Sequence, residues 1–99
     1  MAKDELGDVA TRLLLENSKV KIWELNLAPG QSSGWHRHTM DYITATLEGS
    51  HMRVELDDDT SYETDPQPGQ WRFADMQGPH KATNIGTTRY RNILIELKE

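Results

Sequence analysis

The sequence predicts an all-β fold, an antiparallel barrel or sandwich of about seven or eight short strands. Runs rich in β-branched and aromatic residues succeed one another along the 99-residue chain, and clusters of Gly, Pro, Asn and Asp separate them. Helix is the weak alternative, because only residues 4–16 could carry an apolar period of about 3.6 residues. Gly7 interrupts that segment.

The predicted strands and turns alternate along the chain. After a loose lead-in over residues 1–8, strands are predicted at 11–16, 19–27, within 34–49, and at 50–56, 61–64, 71–73 and 90–97. The turns that end them are predicted at 17–18, 28–30, 49, 57–60, 65–69, 76–79 and 84–86. A chain of this length provides one hydrophobic core but not two, so residues 1–99 are predicted to form a single domain.

The composition excludes several function classes. With no cysteine, the chain has no disulfide, thiolate metal site or cysteine nucleophile. The net charge is −5 and the basic residues are scattered, which argues against nucleic acid and anionic membranes as partners. The polar opening residues and the lack of an apolar run of about 20 residues lead us to expect a cytoplasmic protein.

Two histidines stand just before a strand-like run in the stretch GWHRHTMDYITATLEG, residues 34–49. Side chains two apart on a strand point to the same face, with Cα atoms roughly 6.5–7 Å apart. The imidazoles of His36 and His38 can therefore lean toward one metal ion, each nitrogen about 2.0–2.2 Å from it. Taken alone the pair is a weak signal, since two surface histidines also occur together by chance.

The alternation after the pair separates the side chains into two faces. The face shared with the histidines receives Met40, Tyr42, Thr44 and Thr46. The opposite face receives Ile43, Ala45 and Leu47. If the histidine face lines the interior, the threonines would line a partly polar cavity, and the apolar face would lie outside and need a cover. A second subunit is the simplest cover, so a homodimer is expected.

The sequence resembles the cupin superfamily in two motifs. The first motif, residues 30–49, is carried by Gly30, His36, His38 and Gly49. The second, residues 69–84, is carried by Gly69, His80 and Asn84. The resemblance covers most of the chain and implies a jelly roll, the double-stranded β-helix. The wording W-E-x-x-L-A-P-G, then G-W-H-R-H and D-Y, looks most like small single-domain cupins of the cupin-2 type, some described as β-alanine degradation proteins.

The resemblance implies that His36, His38 and His80 are metal ligands. His51 lies outside both motifs and is predicted to be a solvated surface residue, because its parity is opposite to that of its apolar strand neighbours. The sequence also departs from the family. Tyr42 occupies the position of the usual glutamate ligand, and two residues of the second motif, Asp75 and Gln77, replace the usual proline and glycine.

A site of three neutral imidazoles leaves a bound dication with its full charge. Such a site prefers anionic species at its open positions, for example hydroxide, a carboxylate or an enolate. Imidazole-rich ligation suits transition metals better than Mg or Ca. We expect a divalent transition metal, Fe, Zn, Ni, Cu or Mn, and the sequence leaves its identity open.

Three side chains are candidates for contact with a ligand. The phenol of Tyr42 could hydrogen-bond a bound anion, donate a proton or ligate the metal, or it could simply pack in the barrel. Arg91 is the candidate cavity-facing cation, because it shares parity with Ile93 and Ile95, with a salt bridge to a strand neighbour as the alternative. Thr44 is a further candidate for substrate binding.

Three functions remain open at this point. The first is a metal-dependent enzyme that acts on a small carboxylate- or carbonyl-containing metabolite, and dioxygenase, isomerase and lyase chemistries are not distinguished by the fold. The second is a non-catalytic module that binds a metal or a small ligand. The third is a structural cupin without metal.

Overall fold

The computed structural model describes residues 9–75 and 77–98, and the predicted lead-in at 1–8 lies outside these described residues. Within them the chain forms nine strands and no helix, which confirms the all-β prediction. No helix that could cross a membrane occurs in this part of the chain. The strands are β1 (Arg12–Glu16), β2 (Val20–Leu27), β3 (His36–His38), β4 (Tyr42–Glu48), β5 (Met52–Leu56), β6 (Ser61–Thr64), β7 (Trp71–Ala74), β8 (Gln77–Asn84) and β9 (Tyr90–Leu97).

The strands form two antiparallel sheets. One sheet has five strands in the order β1-β2-β9-β4-β7, and the other has four in the order β3-β8-β5-β6. From β2 onward the chain moves repeatedly from one sheet to the other, so strands that are close in sequence lie in different layers. This alternation between two packed sheets is the arrangement of a jelly roll.

The last strand, β9, lies at the centre of the five-stranded sheet and alternates strictly between buried and half-buried positions. Its inner face carries Tyr90, Asn92, Leu94 and Glu96, all buried. Its outer face carries Arg91, Ile93, Ile95 and Leu97. The apolar character of the isoleucines predicts core positions for them, and the structure corrects this by placing them on the outside of the sheet.

The outer face of the five-stranded sheet is nevertheless apolar along one row. Neighbouring strands place Leu15, Ile22, Ile95, Ile43 and Phe73 side by side in register. The exposed fractions of Leu15 and Phe73 are 49% and 51%. This row is the face that strand parity predicted to lie outside without a cover.

The strand β8 corrects the predicted turn at 76–79. Residues 77–79 belong to the strand, whereas Met76 lies outside the described residues. β8 pairs with β3 so that His36 faces His80 and His38 faces Gln77, which leaves one extra residue on β8 at a bulge. Pro79 has no N–H to give to a ladder, and a bulge is one of the few places in a sheet that tolerates it.

Asn84 ties the two sheets together at the end of β8. Its side chain is fully buried and uses all four of its hydrogen-bonding positions. Nδ2 donates to the carbonyl oxygens of Leu27 at 3.0 Å and Thr88 at 2.8 Å. Oδ1 accepts from the Ser50 hydroxyl at 2.8 Å and the Gly86 N–H at 3.0 Å. Because Leu27 belongs to β2, this amide links the four-stranded sheet to the five-stranded one.

Candidate metal centre

Three buried histidines meet inside the protein. His36 and His38 project from β3 and His80 projects from β8, and their exposed fractions are 3%, 2% and 8%. The ring centroid of His36 lies 5.0 Å from that of His38 and 4.4 Å from that of His80. One nitrogen from each ring lies within 4.8 Å of the other two. His80 is therefore the histidine that joins the H-x-H pair.

The backbone explains why these side chains converge. His36 and His80 are direct partners across the antiparallel β3–β8 ladder, so their side chains leave the same face of the sheet. His38 comes two residues after His36 and so returns to that face. The bulge on β8 falls between these two positions, which places the distortion of the ladder beside the histidines rather than elsewhere in the sheet.

Backbone carbonyls hold two of the rings. The His36 Nδ1 lies 3.0 Å from the Gly34 carbonyl oxygen, and the His80 Nδ1 lies 3.3 Å from that of Gly78. A carbonyl oxygen only accepts, so these Nδ1 atoms carry the protons and the Nε2 atoms keep their lone pairs for a ligand. The His38 Nδ1 is buried and has no hydrogen-bond partner among the described residues. A buried nitrogen without a partner costs about 1–3 kcal/mol, a cost that ligation or water would relieve.

Burial also keeps the imidazoles neutral. Desolvation lowers the pKa of His36, and it lowers the pKa of His38 to about 3 and that of His80 to about 4. The neighbouring histidines and, less strongly, the positive charge of Arg72 lower the last two further. Only a neutral imidazole has a lone pair for a metal, so near pH 7 all three residues are in the ligating form. The donor set therefore fits a divalent transition metal.

The architecture matches solved cupin structures. A cupin domain from Bordetella pertussis Tohama I superposes with a TM-score of 0.79 at 25% identity, over 94% of this chain and 100% of that chain. An RmlC-like cupin with a double-stranded β-helix fold, from Methanocaldococcus jannaschii, superposes with a TM-score of 0.73 at 14% identity, over 99% of this chain and 86% of that chain. The chain therefore has the double-stranded β-helix fold of small cupin proteins.

A third match is weaker. A cupin superfamily protein from Desulfitobacterium hafniense DCB-2 gives a TM-score of 0.64 at 17% identity, over 98% of this chain and 87% of that chain. No protein-family model and no curated protein matches this chain. The likeness therefore shows the fold, and the chemistry depends on the side chains of this chain.

The chain has an aromatic ring at the position where the cupin motif has a carboxylate. The Tyr42 ring stacks on that of His38, with centroids 3.8 Å apart and an interplanar angle of 16°. Burial raises the pKa of the Tyr42 phenol, although the charge of Arg72 opposes the shift, so it stays protonated near neutral pH. The stacking orients the His38 imidazole. Among the described residues, no Asp or Glu joins the three-histidine group, and Asp41 is not part of it.

The histidines open into a cavity of about 510 Å³ between the two sheets. This is the size range of small-molecule sites. As strand parity predicts, the inner face of β4 contributes Tyr42, Thr44 and Thr46 to its lining. Apolar walls come from Leu25, Met52 and Leu94. The cavity thus has both polar and apolar walls, and the three imidazoles form part of its lining.

The cation that lines this cavity is Arg72 and not the predicted Arg91. Arg91 lies on the outer face of β9, where its guanidinium donates to Glu24 at 2.9 and 3.0 Å and to Glu48 at 2.9 Å. Arg72 lies on β7 directly opposite Thr44, so it shares the inner face. Sequence reasoning missed Arg72 because the apolar residues on either side of it suggested that they, and not Arg72, lie on the inner face. Instead Trp71 and Phe73 pair with Ala45 and Ile43 of β4 and are 74% and 51% exposed.

His51 is a surface residue, as predicted, with both ring nitrogens engaged. Nδ1 lies 2.5 Å from Asp65 Oδ1, and Nε2 lies 2.7 Å from Glu63 Oε1. These hydrogen bonds, that to Asp65 first, raise the pKa of the imidazole. The two carboxylates sit on opposite sides of the ring, so the trio does not chelate, and it lies outside the three-histidine group.

Proposed function

We propose that this cupin binds one divalent transition metal through His36, His38 and His80 and acts as an enzyme on a small carboxylate- or carbonyl-containing metabolite held in the adjoining cavity. The observation that carries the proposal is the group of three buried imidazoles whose nitrogens lie within 4.8 Å of one another. Three nitrogens bound to one tetrahedral ion at about 2.1 Å lie about 3.4 Å apart, so a small inward movement of the rings completes the site. Fe, Zn, Ni, Cu and Mn are the candidate ions.

The charge of the site favours an anionic ligand. No carboxylate among the described residues joins the imidazoles, so a bound dication keeps both positive charges. A bound metal would polarise a substrate oxygen or activate water or O₂. The protein would contribute the orientation of the imidazoles, exclusion of water by the apolar walls, and a proton held on the Tyr42 hydroxyl. That phenol is our candidate for the group that donates a hydrogen bond or a proton to the reacting anion.

The metal-binding part is tested by elemental analysis of protein purified without an affinity tag or chelator. We expect close to one equivalent of a transition metal, and we expect the double variant His36→Ala/His38→Ala to lose it. His51→Ala is the matched control, because it removes an imidazole that lies outside the group, and it should retain the metal. Circular dichroism of each variant separates loss of metal from loss of fold. A wild-type protein that stays empty after reconstitution would refute the proposal.

A non-catalytic module that binds a metal or a small ligand is the second candidate. The observation in its favour is Tyr42, which stacks on His38 where a glutamate ligand is usual. Oxygen uptake by the Fe(II)-loaded protein with 2-oxo acids, together with product analysis for the other metals, measures turnover. Thermal stabilisation by a metabolite without any turnover would favour the module over the enzyme.

We further propose that the protein is a homodimer formed through the outer face of the five-stranded sheet. That face carries the apolar row from Leu15 to Phe73, and the neighbouring Trp71 is 74% exposed. Aromatic side chains bring roughly 150–250 Å² each, so the patch approaches the few hundred Å² that isolated monomers rarely leave uncovered. A twofold axis would pair this face with itself. Sedimentation equilibrium tests the proposal, and a monomer at high micromolar concentration would refute it.

A further inference from the structure

One positive side chain in the cavity has no partner. Arg72 lines the cavity, and among the described residues its guanidinium makes no hydrogen bond or ion pair. Four arginines of the outer surface, Arg12, Arg53, Arg89 and Arg91, each contact a carboxylate or an amide oxygen. Arg37, exposed on the outer face of β3, makes no such contact among the described residues, but unlike Arg72 it does not line the cavity. The chain has 16 acidic residues for 11 basic ones, so carboxylates are not scarce. It is the position of Arg72 in the cavity wall, rather than its lack of a protein partner, that makes its guanidinium available to a ligand carboxylate.

The other residues that line the cavity also favour an anionic ligand. The described residues that line the cavity include no Asp, Glu or Lys, so Arg72 is the single permanently charged side chain among them. The three histidines line the same cavity as Arg72. An anion between Arg72 and a metal on the histidines would meet positive charge on both sides. An ammonium group in the same space would meet that positive charge with no carboxylate from the described lining to offset it.

We propose that Arg72 binds the carboxylate of the ligand through its planar fork, and that the cavity selects carboxylates without an ammonium group over amino acids. This inference names the substrate class of the proposed enzyme and therefore rests on that function for its biological meaning. The binding step depends on Arg72 itself. A bidentate guanidinium–carboxylate contact has N···O distances of about 2.7–2.9 Å and fixes the orientation of the acid as well as its charge. The exposure of Arg72 explains how the charge persists without a ligand, because water solvates it.

The cavity walls select the remainder of the ligand beyond its carboxylate. Leu25, Met52 and Leu94 contribute apolar surface, whereas Thr44 and Thr46 contribute neutral hydroxyls. A chain ending in a hydroxyl or a carbonyl can hydrogen-bond to these hydroxyls without bringing a second charge into the pocket. Oxo acids and hydroxy acids fit this description, and zwitterions do not.

The test compares matched acids by isothermal titration calorimetry. The probes are 3-hydroxypropanoate and 6-hydroxyhexanoate, each paired with the amino acid of the same length, 3-aminopropanoate and 6-aminohexanoate. We expect at least one hydroxy acid to bind about tenfold or more tightly than its amino partner, and Arg72→Gln to weaken that binding by roughly 10- to 100-fold. Arg37→Gln is the control, because Arg37 lies exposed on the opposite face of β3 and should bind like wild type.

Each titration is repeated on metal-loaded and metal-free protein, with the metal content measured independently. A wild-type protein that takes up no metal on reconstitution but still binds the hydroxy acid through Arg72 would refute the metal-dependent function and leave this inference standing. Equal affinity of Arg72→Gln and wild type, equal affinity for a hydroxy acid and its amino partner, or no binding of any probe at millimolar concentration would overturn the inference. Circular dichroism and the metal content of Arg72→Gln establish that the variant is folded.

Discussion

Replacing Asn84 with alanine tests how the second histidine strand is held. Asn84 ends β8, the strand that carries His80, and its amide bridges to β2 of the other sheet. The substitution removes four hydrogen bonds with lengths of 2.8–3.0 Å. The change is therefore expected to loosen both the packing of the two sheets and the placement of the third metal ligand.

The magnitude depends on the new partners that each released group can find. Water can reach the Thr88 carbonyl and the Ser50 hydroxyl, because both lie nearer the surface. The carbonyl of Leu27, a residue that is only 4% exposed, stays buried. An unsatisfied buried polar group costs about 1–3 kcal/mol, and the smaller side chain also leaves a cavity, so we expect a loss of about 3 kcal/mol. For a domain of this size, that loss lowers Tm by about 12–24 °C.

The assay is urea unfolding together with calorimetry on the metal-free protein. Asn26→Ala is the control, because its side chain accepts a hydrogen bond from Arg89 at an exposed position, and it should change the free energy of unfolding by less than about 1 kcal/mol. If Asn84→Ala loses no more than Asn26→Ala, the assignment of Asn84 as the link between the sheets is wrong.

Four further predictions concern the site and the surface. Burial lowers the pKa of His38 to about 3 and that of His80 to about 4, so the stability that depends on these two neutral imidazoles is fully present above about pH 6.5 and is lost as the pH falls toward those values; in urea unfolding of the metal-free protein, the free energy of unfolding should fall less steeply with decreasing pH in His38→Gln/His80→Gln than in wild type. The raised pKa of His51 has the opposite sign, so its stabilising ion pairs persist below about pH 6.5 and are lost as the pH rises through the folded-state pKa; His51→Gln should remove this component. Tyr42→Phe should keep the stacking and the metal but lower kcat by about 10²-fold or more, and an unchanged kcat would remove the phenol from the chemistry. Trp71→Ser should weaken the dimer in sedimentation equilibrium, whereas an unaltered dissociation constant would place the interface elsewhere.

Strand parity predicted which residues share a face, but not always which face is inside. On β4 the predicted inner face was correct. The histidines identified it, and Thr44 and Thr46, which share that face, line the cavity. On β9 hydrophobicity was misleading. Ile93 and Ile95 are more apolar than Asn92 and Glu96, yet the polar residues are the buried ones.

The wrong prediction that Arg91 faces the cavity has the same origin. Arg91 shares a face with Ile93 and Ile95, and those isoleucines were expected to lie in the core. Register would have corrected it, since pairing with β4 puts Asn92 opposite the inward-facing Thr46. Pairing between strands distant in sequence is not readable from one chain. The strand β8 was missed for a local reason. Gly78 and Pro79 are strong turn signals, and the bulge that accommodates them exists only once β3 is alongside.

X-ray absorption spectroscopy of the metal-reconstituted protein measures the metal environment most directly. We predict a first shell with three imidazole nitrogens at about 2.0–2.1 Å, together with the outer-shell scattering that imidazole rings produce. His80→Gln should lose one of the three, and His51→Gln should leave the spectrum unchanged. A spectrum without imidazole scattering, or one that His80→Gln does not alter, would contradict the assignment of these histidines as the metal ligands.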